Sequence, residues 1–174
     1  AEAEAEANDF QAILEIQRRW ANDKVFQIGT HILRGKLSPT DASGPLTSVA
    51  DICLSSLLTS VTKNFRDQHG EVLGGELAVV SCGKLGCREM TVGSDLDLLF
   101  VYDCPSNVGE SDGKRRLPVA QYYSRLSQRL IGAITAPTRD GKLYEVDMRL
   151  RPAGDAGPIA SSFDAFARYQ RSDA

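Results

Sequence analysis

Asp95 and Asp97 stand two residues apart at the mouth of the apolar run Leu98-Leu99-Phe100-Val101-Tyr102. On a β-strand, side chains two apart point the same way, with Cα atoms about 6–7 Å apart. Two bare carboxylates about 4 Å apart repel by about 4 kcal/mol at an effective dielectric near 20. A fold that keeps such a pair needs a cation to offset the repulsion, and Mg²⁺ carrying a phosphate substrate is the usual occupant of an all-oxygen site. A third carboxylate, Asp147, lies in Leu143–Arg151, where Tyr144, Val146, Met148 and Leu150 alternate with Glu145, Asp147, Arg149 and Arg151. Three carboxylates can hold two divalent ions about 3.5–4 Å apart, which clamp the attacking and leaving oxygens of an in-line phosphoryl or nucleotidyl transfer. The turn Gly83-Lys84-Leu85-Gly86 lets backbone N–H groups approach a polyphosphate closely. Lys84, Arg149 and Arg151 are the cations placed to offset developing charge on it.

Composition narrows the field. The chain has 174 residues, a net charge of −3 and an apolar fraction of 42%, enough for one domain with a real core. Basic residues come in small groups only, Arg18-Arg19, Lys114-Arg115-Arg116, and Arg149 with Arg151. That distribution weighs against nucleic acid as the main partner, because a polyanion demands a basic face. No stretch reads as membrane-spanning and no signal peptide opens the chain. Cys53, Cys82, Cys87 and Cys104 form no Cys-x-x-Cys, and only His31 and His69 are available beside them. Zinc and a secreted disulfide framework are therefore not expected, and reduced thiols in a cytoplasmic protein are.

Periodicity supplies the elements that must position these groups. Helices are expected over about Asn8–Leu33, with a break near Asn22-Asp23, over Leu46–His69, over Pro118–Ala136, and over a short segment from Ser162 to Tyr169. Strands are expected at Glu76–Ser81, Asp95–Asp103 and Leu143–Arg151. Pro105–Leu117 reads as a mobile surface loop, Arg139-Asp140-Gly141 as a turn, and His31 and His69 as ordinary helix residues. This order gives an α+β fold with a small mixed sheet. Residues 1–7, a Glu-Ala repeat, read as a leader; 8–70 as a helical segment packed on the core; and 71–174 as the catalytic core, cut short on its C-terminal side.

The arrangement resembles the DNA polymerase β-like nucleotidyltransferase superfamily, with Gly83 at the glycine of its Gly-Ser turn, Lys84 in place of the serine, Asp95 and Asp97 as its Asp-x-Asp, and Asp147 as its third acid. A closer resemblance is carried by the run from Gly83-Lys84-Leu85-Gly86-Cys87-Arg88 through Ser94-Asp95-Leu96-Asp97-Leu98, and by Tyr144-Glu145-Val146-Asp147-Met148-Arg149-Leu150-Arg151-Pro152 with Gly154 and Gly157-Pro158. Both strings are similar to the glutamine synthetase adenylyltransferase/adenylyl-removing family, except that Cys87 stands where a second glycine is usual. The resemblance implies a bacterial cytoplasmic enzyme using ATP and two Mg²⁺ (or Mn²⁺) ions, with glutamine synthetase as protein substrate. It also implies a signal-transduction regulatory protein as a partner of the full-length enzyme. Asp95, Asp97 and Asp147 would bind metal and catalyse; Gly83, Lys84, Ser94, Arg149 and Arg151 would bind nucleotide phosphate. Arg88-Glu89-Met90-Thr91, Ile134–Pro137 and Gly157–Ser161 resemble the adenylylating copy. The rivals are the phosphorolytic deadenylylating copy, another nucleotidyltransferase, and a nucleotide-binding module without turnover.

Overall fold

A computed structural model of the chain describes residues 2–138 and 140–172, with side chains from Phe10 onward other than that of Asp155. The apolar stripes become three long helices. These are α1 (Glu2–Leu33), α2 (Ser43–His69) and α4 (Val119–Thr135), with the single helical turn α3 (Gly83–Gly86) and the terminal α5 (Phe163–Ser172) beside them. Alanine and glutamate are strong helix formers, and α1 runs through the Glu-Ala repeat without interruption. The break expected at Asn22-Asp23 does not occur: Asn22 stays in the helix and its Nδ2 donates to the Asp140 carbonyl at 3.0 Å.

Leu46, Val49, Ala50, Cys53, Leu57, Val61 and Phe65 form the buried side of α2. Leu46, Ala50, Leu57, Val61 and Phe65 share a core with Leu126, Leu130 and Ile134 of α4, while Val49 and Cys53 pack with Ala21 of α1; Leu57, Leu130 and Ile134 are fully buried. Contrary to the expectation that no stretch reads as membrane-spanning, α2 is apolar enough to cross a membrane by length and composition; its apolar stripe packs into this core. Each fully buried leucine contributes about 1.5–3 kcal/mol. An aromatic chain closes one end, with Tyr102 stacked on Tyr123 at 4.6 Å and Phe65 edge-on to Tyr122 at 4.9 Å.

The sheet is mixed. β2 (Leu96–Asp103) is central and pairs antiparallel with β1 (Glu76–Ser81). On its other side β3 (Val146–Asp147) runs parallel to the start of β2, and β4 (Ala160–Ser162) parallel to its second half. One strand was not expected and another is much shorter than expected. β4 is three residues, Ala-Ser-Ser, with no apolar run to announce it. β3 is two residues rather than the nine of Leu143–Arg151, because the Asp147 side chain accepts the Arg149 backbone N–H at 2.8 Å and turns the chain out of the ladder. Leu150, on the apolar side of the expected alternation, is 55% exposed.

The segment Pro105–Leu117, expected to be a mobile surface loop, is docked. Ser111 and Leu117 are buried. Asp112 N–H donates to the Glu71 carbonyl at 3.0 Å, Gly113 N–H to the His69 carbonyl at 3.1 Å, and Glu71 N–H to Asp112 Oδ1 at 2.7 Å. His69 is itself buried, with Nδ1 2.7 Å from the Arg115 carbonyl. Gly70 (φ +73°) and Gly113 pass so close that neither has room for a Cβ. Arg139 of the expected turn lies outside the described residues; Thr138 and Gly141 exchange N–H···O bonds of 3.0 and 2.9 Å across it.

Candidate active site

Alternation along β2 sends Leu96, Leu98 and Phe100 into the helical core and Asp97, Leu99 and Val101 to the opposite face. Asp95, just before the strand and exposed, shares the parity of Asp97. Asp147 is the register partner of Asp97 across the parallel β2–β3 pair, so their backbones are one strand spacing apart, about 4.8 Å. The three acids expected from the sequence thus lie together around the start of β2, close enough that the charges of Asp95 and Asp147 act on Asp97. Electrostatics agrees: burial raises the Asp97 carboxyl, the charges of Asp95 and Asp147 raise it further, and Arg149 and Lys84 partly offset them.

The turn before β2 is built around this carboxylate. Cys82 N–H donates to the Asp97 carbonyl at 2.8 Å, extending the β1–β2 ladder. Gly83 follows at φ +51°, with its Cα against Asp97 so that any Cβ there would overlap Asp97 Oδ2. Leu85 and Met90 are buried and anchor the turn from below. Arg88, a non-glycine residue at φ +60°, bonds Asp51 of α2 at 3.2 Å. Sequence reasoning gave that brace no role, since its two halves lie thirty-seven residues apart. Lys84 is exposed on the turn.

The remaining expected phosphate groups are placed differently. Ser94 is buried, and its hydroxyl lies 2.8 Å from Thr91 Oγ1 and accepts the Thr91 N–H at 3.0 Å, so it braces the turn. Arg151 donates from Nη1 to the Met148 carbonyl at 3.0 Å and from Nε to the Gly157 carbonyl at 3.3 Å, stapling the loop after β3. Arg149 folds back on Asp147, and its side-chain and backbone donors hold that carboxyl below the usual carboxylate range.

As placed, no three acidic, thiol or imidazole groups among the described residues enclose a point at metal-binding distance. The donor set still fits a hard divalent cation. It consists of oxygen only, two of its acids are in register, and like charges press on Asp97 with cationic side chains close by. A test independent of activity follows. Asp97 has a raised pKa in the folded chain, so its contribution to stability is present at low pH and is lost as pH rises through that value. Asp97→Asn in chelator is therefore expected to melt about 2 °C higher than the wild type near pH 7.5. The gap should close as pH falls and the wild-type carboxyl takes up its proton; scanning calorimetry across pH reads it directly.

A helical layer on a small mixed sheet, with an Asp-x-Asp at the head of the central strand, defines a nucleotidyltransferase domain of the polymerase β-like class. The chain belongs to the glutamate-ammonia ligase adenylyltransferase family, whose match covers residues 1–174. It is 44% identical over 168 residues to the bifunctional glutamine synthetase adenylyltransferase/adenylyl-removing enzyme of Brucella suis, a match covering 97% of this chain. The enzymes of the same name from Rhizobium meliloti and Mesorhizobium japonicum are 44% and 42% identical, each over 95% of the chain. The chain spans 17% of the length of these relatives.

Proposed function

We propose that this domain transfers AMP from ATP to a tyrosine of glutamine synthetase. The reading rests on the register of Asp97 against Asp147 beside Asp95, in a family whose relatives are named for adenylyl transfer. Asp95, Asp97 and Asp147 would hold Mg²⁺ or Mn²⁺, which supplies charge neutralisation on the triphosphate when bound. The chain's own residues do the rest. Gly83 brings backbone close to the Asp97 carboxylate and to phosphate. Lys84 and Arg149 add positive charge where the pyrophosphate develops its own, while Ser94 and Arg151 hold the flanking loops.

The tyrosine phenol oxygen forms a bond to the α-phosphorus, the bond to the bridging oxygen of the β-phosphate breaks, and pyrophosphate leaves. A free phenol has a pKa of about 10, so its proton must be taken, and Asp147 is the acceptor proposed. Arg149 weakens Asp147 as a base while the two are bonded, so that role requires the pair to open. The four cysteines are free.

The assay is transfer of radiolabelled AMP from ATP to glutamine synthetase, with Asp95→Asn/Asp97→Asn as control. Label on the wild-type reaction only is the expected result. Release of ADP from adenylylated glutamine synthetase and phosphate, without forward transfer, would reassign the domain to adenylyl removal. ATP binding without either reaction would make it a nucleotide-binding module.

A further inference from the structure

Arg149 holds both oxygens of Asp147 at once. Its backbone N–H donates to Oδ1 at 2.8 Å, its Nε to Oδ2 at 2.7 Å and to Oδ1 at 3.1 Å, and its Nη2 also donates to Oδ2. The guanidinium fork of Nε and Nη2 closes on Oδ2, while Nε and the backbone N–H reach Oδ1, so charge-assisted bonds engage both oxygens. These bonds take the lone pairs that a hard cation would use. The two residues differ in exposure: the Asp147 side chain is 14% exposed and that of Arg149 is 77% exposed. Asp147 is also fixed through the β2–β3 register. The carboxylate therefore stays in place, and the guanidinium is the half of the pair with room to swing.

The geometry points to Arg149 as a built-in counter-cation that competes with the divalent ion for Asp147. In this arrangement the ion enters only as the Asp147–Arg149 fork opens, and the displaced guanidinium is then available to the phosphate that the ion carries. The inference rests on the reading above, in which Asp95, Asp97 and Asp147 form the cation site. Two consequences follow from the competition. Apparent metal affinity is reduced by the fraction of molecules in which the fork is open. By reciprocity, whatever draws Arg149 away, a nucleotide triphosphate above all, tightens metal binding by the same factor.

The test is Mn²⁺ binding to the 174-residue chain without nucleotide, followed by calorimetry and by electron paramagnetic resonance of the ion. Arg149→Gln is expected to bind Mn²⁺ about tenfold more tightly than the wild type, because no fork has to be opened. Arg149→Lys keeps the positive charge but cannot make the forked contact, and it too is expected to bind more tightly, by about threefold. Adding Asp147→Asn to Arg149→Gln should erase the gain. AMP transfer should move the other way and fall in both arginine variants.

Tighter binding in Arg149→Gln with wild-type binding in Arg149→Lys would overturn the inference, since loss of charge alone would explain it. So would equal binding in all three, with Asp97→Asn abolishing it; that result leaves the cation site standing. Mn²⁺ binding in none of them, with all melting as the wild type does, would remove the cation site and the inference together.

Discussion

Gly83→Ala is expected to cut AMP transfer about 100-fold or more while lowering the melting temperature by only a few degrees. Gly83 sits at φ +51°, where an L-residue costs roughly 1–2 kcal/mol. A methyl group there would also run into the Oδ2 and Cγ of Asp97. The backbone of Asp97 has little freedom to yield. Its carbonyl accepts the Cys82 N–H at 2.8 Å, and its strand pairs on both sides. The carboxylate is what moves, and a displacement of about 1 Å at a reacting centre costs on the order of 100-fold in rate. Gly93→Ala is the matched control. Gly93 has φ +82° and nothing within 4 Å of a Cβ, so it carries the same backbone strain without touching an acid. It should cost a few degrees of stability and leave transfer within about threefold of wild type. Single-turnover incorporation of labelled AMP, with thermal melts of all three proteins, separates strain from displacement; equal losses in both variants would show that Gly83 matters only as a flexible hinge.

The acids were readable because parity on a strand is a strict geometric rule. The run after Asp97 could only be a buried strand, and that fixed the face shared with Asp95. What lay beyond the sequence were relations between distant segments. Nothing in Val146-Asp147 announces a strand of two residues that ends because Asp147 captures its own neighbour's N–H. The same event decides what Arg149 does, and only the folded chain shows it. Ser94 shows the complementary limit. The family resemblance implies a phosphate contact for it, but the turn geometry gives its hydroxyl to Thr91 three residues back. The segment Pro105–Leu117 departs from its expectation for a related reason: its composition is polar, yet Asp112 and Gly113 bond to Glu71 and His69. Pairings of this kind, some forty residues apart, leave no local pattern.

Arg18→Met is expected to be the most destabilising single change outside the apolar core. Composition placed Arg18 beside Arg19 as a small basic group, but the two residues have opposite fates. Arg18 is 1% exposed. Its Nη2 donates to the carbonyls of Ala133 and Ala136 at 2.8 and 2.7 Å, and its Nη1 to the Leu14 carbonyl at 3.2 Å. The last carbonyls of a helix lack intrahelical donors, and the C-terminus of α4 carries partial negative charge that a cation complements. Burial pulls the Arg18 pKa down, with Glu15 acting the other way, and its Nε finds no partner among the described residues. The guanidinium is therefore held at a desolvation cost that its carbonyl bonds offset. Methionine fills much of the volume but donates nothing, and it leaves buried carbonyls unmet. A loss of about 3 kcal/mol is expected, or a melting point lower by about 10 °C for a chain of this size. Arg19→Met removes a long contact, 3.9 Å, from a 57% exposed guanidinium to the partly buried Asp140 and should cost under about 1 kcal/mol. The effect should reach the site as well, because the end of α4 leads into β3: Leu143 N–H donates to the Ile134 carbonyl at 3.2 Å only a few residues before Asp147. Urea unfolding of both variants measures the difference. A cost for Arg18→Met no larger than that for Arg19→Met would mean that water satisfies the α4 carbonyls and that α1 is not pinned to α4 by charge.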